Sequence, residues 1–220
     1  MTQAFLGAIF DVDGTLIDSN GAHAAAWHEA LTQNGVPASL SDVRRLIGMG
    51  GDKLLSSVAG LDERSELGQR IVALKKRLFA SRLRGLEPTR GARLFLEFLR
   101  RHGVKLAIAT SADEDEMRAL LNQAGVEDVF FGTASKDDAR RSKPDPDVVA
   151  AALTHIGLPP KDVVMIGDTP YDIEAAEAAG VKTIALRCGG TWSDVDLAGA
   201  LLIADDPAAL LKTWRQSFEE

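Results

Sequence analysis

The chain has 220 residues, 45% of them hydrophobic and 26% charged, which is enough for one sizeable core and too apolar for disorder. A formal net charge of −7 argues against generic binding to nucleic acid or to an anionic membrane. The single cysteine, Cys188, cannot close an internal disulfide and fits a reducing, cytoplasmic setting, and the opening stretch MTQAFLGAIFDVDG has neither a basic leader nor an apolar run long enough to span a bilayer.

The first element is an apolar run, AFLGAIF (4–10), of strand length and ending in acids. Residues 20 to about 84 then read as helices throughout: GAHAAAWHEALTQNG, SLSDVRRLIG, GDKLLSSVAG and ERSELGQRIVALKKRLFASRL. No strand-like run interrupts them. We therefore expect a helical cap over 18–85, inserted into a core made of 1–17 and 86–220. Beyond it, apolar runs alternate with amphipathic helical patterns. The runs are VKLAIAT (104–110), DVVMIGD (162–168), KTIALRC (182–188) and ALLIAD (200–205). The helical patterns are ARLFLEFLRRHG, DEDEMRALLNQAG, DPDVVAAALTHIG and PYDIEAAEAAG, with glycine stops at Gly103, Gly125 and Gly180. Runs apolar on both faces suit a parallel sheet covered on both sides, so the pattern predicts a doubly wound α/β fold.

Ligands of such sheets bind at the carboxyl ends of the strands. Asp11 and Asp13 follow the first run, two apart in extended chain and able to face one site, with Gly14 permitting a tight turn. A calcium loop of EF-hand type fails here, because its fifth, sixth and twelfth positions would be Thr15, Leu16 and Ala22. Asp168 ends the third run, in GDTPYD, where Thr169 is a good N-cap and Pro170 a good first helical residue. Asp172 has two readings, an acid favoured by the helix dipole or a further ligand. Like charges about 4 Å apart cost roughly 4 kcal/mol per pair at an effective dielectric of 20, so such a cluster calls for a cation; all-oxygen ligands favour Mg²⁺.

Thr110 ends the second run with a hydroxyl available to an oxyanion, while Ser111 and Glu114 spell a capping box. In SKPDPD, Asp145 and Pro146 have the pattern of a helix start, which puts Lys143 just ahead of a helix N-terminus, where the dipole disfavours a cation. A phosphoryl site beside carboxylates would supply a reason. Arg140 and Arg141 read as solvated neighbours.

Taken in order, Asp11-Val-Asp13-Gly14-Thr15, Thr110-Ser111, Lys143-Pro144 and Gly167-Asp168-x-x-x-Asp172 resemble the four motifs of the haloacid dehalogenase superfamily, in its branch with a helical cap, and within it the phosphoglycolate-phosphatase and β-phosphoglucomutase-like subgroup. The resemblance covers essentially the whole chain. It implies that Asp11 attacks phosphorus and that Asp13 moves protons. It also implies that Mg²⁺ is held by Asp11, the Asp13 carbonyl and Asp168, with Asp172 on the metal or its waters. Thr110 and Lys143 would steady the phosphoryl oxygens, beside Gly14, Thr15 and Ser111. The implied partner is a small phosphorylated metabolite, met by a monomer or small homo-oligomer. Dehalogenases of the superfamily lack the second acid, so Asp13 argues against halide chemistry.

The cap would set the substrate. His23 and Trp27 lie four apart on one helical face; Trp27 reads as packing, and His23 stands where the mutase-like subgroup has a histidine. The loop IGMGGDK (47–53) resembles the subgroup's specificity loop. Gly50 lets backbone approach a ligand, Lys53 offers a cation, and Gly51 stands where mutases carry arginine. That glycine disfavours a mutase, the alternative to a phosphatase. A non-catalytic binding relic is disfavoured by the complete set of acids.

Overall fold

The computed structural model describes residues 5–219, with side chains through Arg215. Residues 1–4 and 220, included in the expected core, lie outside the described residues. Six strands form one parallel sheet in the order β3-β2-β1-β4-β5-β6. They are β1 (Gly7–Phe10), β2 (Lys105–Ala109), β3 (Gly132–Ala134), β4 (Val163–Gly167), β5 (Lys182–Leu186) and β6 (Leu202–Ala204). This is the expected doubly wound α/β architecture.

Period-two alternation explains how one strand serves two cores. In β1, Ala8 and Phe10 face a layer built by α5 (Ala92–Arg101), α6 (Glu114–Gln123) and α9 (Pro207–Glu219), through Phe95, Leu99, Leu120 and Trp214. Ile9 between them faces α7 (Asp147–Ile156) and α8 (Pro170–Ala178), through Val149, Ala152 and Ala176. The order reverses between β1 and β4, which pair in register from Gly7↔Val163 to Phe10↔Ile166. That is the point where an open α/β sheet opens a crevice at its carboxyl end.

Between β1 and β2 stand four further helices: α1 (Asn20–Gln33), α2 (Leu40–Arg45), α3 (Gly51–Ala59) and α4 (Glu66–Arg82). They bury a cluster of their own, with Trp27, Leu31, Val43, Leu55 and Ile71 at its centre. Among the described residues, no helix is long and apolar enough to cross a membrane.

Four features depart from expectation. β3 was not expected; it is three residues, GTA, with no apolar run to announce it. Nor was α9, which packs on α5 from beyond the last predicted strand. Ser111 and Glu114 make no capping box. The cap of α6 is Asp113, whose carboxylate accepts from the Glu116 N–H at 2.9 Å, because this acid stands three residues before Glu116 and directly ahead of the first turn. Asp145 does not cap α7 either; Pro146 stands at that position without a side-chain bond, and Asp145 is held by Lys53 and Arg141.

Candidate active site

Three buried acids meet at the crevice. Asp11 leaves β1, Asp168 leaves β4, and Asp172 sits in the first turn of α8. A carboxylate oxygen from each lies within 4.8 Å of the others. The Lys143 ammonium is fully buried among them, donating to Asp11 Oδ1 at 2.6 Å, Asp172 Oδ1 at 2.7 Å and the Ala109 carbonyl at 3.2 Å. Thus Asp172 serves the start of α8, one of its two sequence readings, and also holds the lysine. Its Oδ2 closes a capping box with Thr169, accepting from the backbone N–H at 3.1 Å and from Oγ1 at 2.7 Å, while Oδ1 holds the lysine.

One cation does not balance three acids. Burial, opposed by Lys143 and reinforced by Asp172 and Asp13, pushes the Asp11 carboxyl up to about 8. Burial, with Asp172 and Asp11 beside it, raises Asp168 well above the carboxylate range. For Lys143, burial would lower the ammonium, but the attraction of Asp11 and Asp172 outweighs it and the group is raised. A further cation would let all three acids ionise. The donor set fits one: oxygen ligands, closely spaced, with the buried Asn20 Oδ1 left without any partner beside them. Asn20 Nδ2 is already bonded to Asp168 Oδ2 at 2.8 Å and to the Gly189 carbonyl at 3.3 Å. The cluster can therefore hold a metal ion.

Asp13 stands apart from this cluster while lining the same cavity as Asp11. Its Oδ1 meets His23 Nε2 at 2.8 Å and accepts from Ser19 Oγ. Burial alone would raise this carboxyl; the His23 charge and the bonds from His23 and Ser19 outweigh it and hold the group at about 2. His23 is itself fixed by Phe79 of α4, stacked at 3.8 Å between ring centroids.

The smaller residues of the first motif act as supports. Gly14 has φ +72°, and a side chain there would collide with Asn20 and Asp168. Its carbonyl accepts from the Cys188 thiol at 3.2 Å, and burial pushes that thiol up to about 12, so it is inert. Thr15 Oγ1 donates to Asp168 Oδ1 at 3.3 Å and does not reach the cavity. Thr110 and Ser111 both line it. The Thr110 hydroxyl accepts from the Ala112 N–H at 3.1 Å, which leaves its own hydrogen for an anion.

The cavity measures about 60 Å³ and lies between these strand ends and the helices of 20–82. Ligand pockets run to hundreds of Å³, so this cavity is small for a phosphate ester. From the 47–53 loop, Ile47, Gly48, Met49 and Gly51 line the cavity, and Trp27 joins them. Gly50 and Lys53 depart from expectation. Gly50 packs against Ser142, which a Cβ would meet at 2.2 Å. Lys53 donates to the Ser142 carbonyl at 2.7 Å and pairs with Asp145, so its charge ties the helical part to the core and stays out of the cavity. A helix start at Gly51 aims its third residue across the interface.

Several residues here were not anticipated. Ser19 and Asn20 fall in DSNG (18–21), which reads as a mere boundary. Lys75 and Glu116 line the cavity as an ion pair, Nζ to Oε1 at 3.1 Å and to Oε2 at 2.9 Å. A signal for Lys75 was available: it interrupts the apolar stripe Ile71–Lys75–Phe79, spaced at four on α4. Nothing local marks Glu116.

A switch-point crevice with acids at two adjacent strand ends and a buried lysine defines a doubly wound α/β protein with a site suited to a metal ion and an anion. A family model described as haloacid dehalogenase-like hydrolase matches residues 8–186. The chain belongs to that family. It is 32% identical over 210 residues to a phosphoglycolate phosphatase of Pseudomonas putida, covering 92% of this chain and 77% of the other. It is 29% identical over 180 residues to a phosphorylated carbohydrates phosphatase of Thermotoga maritima, covering 80% and 82%. Among solved structures, a hydrolase from Pseudomonas syringae superposes with a TM-score of 0.89 at 31% identity, covering 96% of this chain and 98% of that one.

Proposed function

We propose that this protein is a divalent-metal-dependent phosphatase that hydrolyses small phosphate monoesters, of phosphoglycolate or sugar-phosphate type, through an aspartyl-phosphate on Asp11. The observation that carries the reading is the division of labour between two acids lining one cavity: Asp11 bound to a buried lysine, Asp13 bound to a histidine.

Asp11 attacks phosphorus with one carboxylate oxygen, and the bond from phosphorus to the ester oxygen breaks. The departing alkoxide takes a proton from the hydrogen-bonded Asp13–His23 pair, in which the proton rests on the His23 ring and reaches the ester oxygen through Asp13. Asp13 then removes a proton from the water that attacks the phosphoryl group, and Asp11 is freed as inorganic phosphate leaves. Lys143, the Thr110 hydroxyl and the cavity-lining Ser111 bind the phosphoryl oxygens as charge shifts among them. Asp11, the Asp13 carbonyl and Asp168 would hold Mg²⁺, with Asp172 oriented behind them. The ion would neutralise charge on the transferring group. Residues 18–85 act as the cap that excludes water on closing.

The alternative is a sugar-phosphate mutase, which must retain the phosphoryl group and grip a second phosphate. Gly51 provides no arginine for that grip, and among the described residues Lys75 is the sole lysine or arginine lining the cavity. This supports hydrolysis.

The test is a panel of phosphate esters with Mg²⁺ or with EDTA. Phosphate release from at least one small ester should require Mg²⁺, and Asp11→Asn should abolish both release and the mass increment of phosphoenzyme in rapid-quench spectra. Near-normal turnover by Asp11→Asn would sink the covalent route. Conversion of β-glucose 1-phosphate to glucose 6-phosphate without release would favour the mutase.

A further inference from the structure

The pair Lys75–Glu116 is not needed to attack or protonate a phosphate. It lines the cavity shared by Asp11 and Asp13, outside the metal-type cluster of Asp11, Asp168 and Asp172, and so offers contacts to the alcohol portion of an ester once Asp11 faces phosphorus. Lys75 comes from α4 and is 7% exposed; Glu116 comes from α6, and its side chain is 14% exposed. The ammonium also lies 5.0 Å from the Phe79 ring centre and 5.7 Å from that of Trp27, so its remaining sides face aromatic carbon and not water.

We propose that Glu116, acting with Lys75, selects esters whose leaving alcohol carries neutral hydroxyl groups, the polyol and sugar phosphates, and discriminates against those carrying a carboxylate. This deepens the phosphatase reading and rests on it. A leaving group that closes into this space separates or flanks the ion pair. A hydroxyl accepts from Lys75 and donates to Glu116, so both buried groups keep a partner. A carboxylate satisfies the lysine alone. It leaves Glu116 without its cation, with a second negative charge against it and Asp13 lining the same cavity. A site built to bond hydroxyls on both sides discriminates strongly, because the wrong ligand strands its polar groups.

The experiment compares kcat/KM for glycerol 1-phosphate and 2-phosphoglycolate in the wild type, in Glu116→Gln and in Lys75→Met. The wild type should prefer glycerol 1-phosphate by roughly tenfold or more. Glu116→Gln, nearly isosteric, should shift the ratio toward 2-phosphoglycolate by roughly tenfold. Lys75→Met should shift it the other way, since the glutamate is then unopposed. A damaged fold would lower both rates without opposite shifts of their ratio. Wild-type preference for 2-phosphoglycolate, or an unchanged ratio in Glu116→Gln, would overturn the proposal. If neither these two esters nor any other of the panel turned over, the phosphatase reading would fall. The dissociation constants of the same two esters, read by tryptophan fluorescence because Trp27 lines the cavity, would still decide: glycerol 1-phosphate binding tighter supports the selection, and 2-phosphoglycolate binding tighter overturns it.

Discussion

The two sides of the structure that meet around the cavity are built on opposite principles. On the core side, Asp11, Asp168, Asp172 and Lys143 are at most 2% exposed, and each is fixed by bonds to backbone or to a neighbouring support. On the helical side, Lys53, Lys75 and Lys76 reach across to Asp145, Glu116 and Asp113, and most of these side chains are partly solvated. The core side is held by buried groups bonded within the core itself. The helical side meets the core through ion pairs between the two parts. A group that must be ready before the substrate arrives belongs on the first, and a group that judges the substrate can stand on the second.

The sharpest way to break this contrast is to remove the core's cation. Lys143→Met leaves Asp11 and Asp172 buried without it, and stranding a buried charge in this way costs about 3–5 kcal/mol. We expect a large drop in Tm together with loss of phosphate release. An unshifted Tm would mean the core wall is as adaptable as the other.

A second, intermediate effect concerns pH. In metal-free protein Asp11 holds its proton up to about 8, against 3.8 for the ordinary side chain. A carboxyl raised on folding gives stability that is complete below the unfolded value and is lost as pH rises toward the folded one. Metal-free protein should therefore lose stability between about pH 4 and 8, and Mg²⁺ should raise Tm most at the alkaline end. Equal Mg²⁺ shifts at pH 5 and pH 8 would count against the cluster as the metal site.

The smallest effect belongs to Lys53. Its pair with Asp145 is roughly a quarter exposed on each side, the kind of ion pair worth about 0–1 kcal/mol. Lys53→Ala should lower kcat/KM on p-nitrophenyl phosphate and on a larger ester by the same small factor, since it acts on closure. A loss confined to the larger ester would return Lys53 to the substrate.

The same division governs what was legible in the sequence. Asp11, Asp13, Asp168 and Lys143 are conspicuous because acids end apolar strands and a lysine precedes a helix start, both against local preference. Strand–helix alternation conveys the sheet in the same way, and β3 escaped because three residues with a glycine carry no period. The facing wall depends on partners far apart in the chain, Lys75 with Glu116 and Lys53 with Asp145, and periodicity does not register such pairings. Glu116 looks like any acid in a first helical turn. Lys53 looked free because its partner lies on another element.

The shared carboxylate of Asp172 carries a consequence for how the enzyme pays the cost of reorganisation. One oxygen is claimed by the first turn of α8 and the other by Lys143, so neither can swing without uncapping a helix. The fold itself therefore aims the lysine, through carboxylates that are already in place. The first turn of α8 and the placement of the lysine thus depend on one side chain.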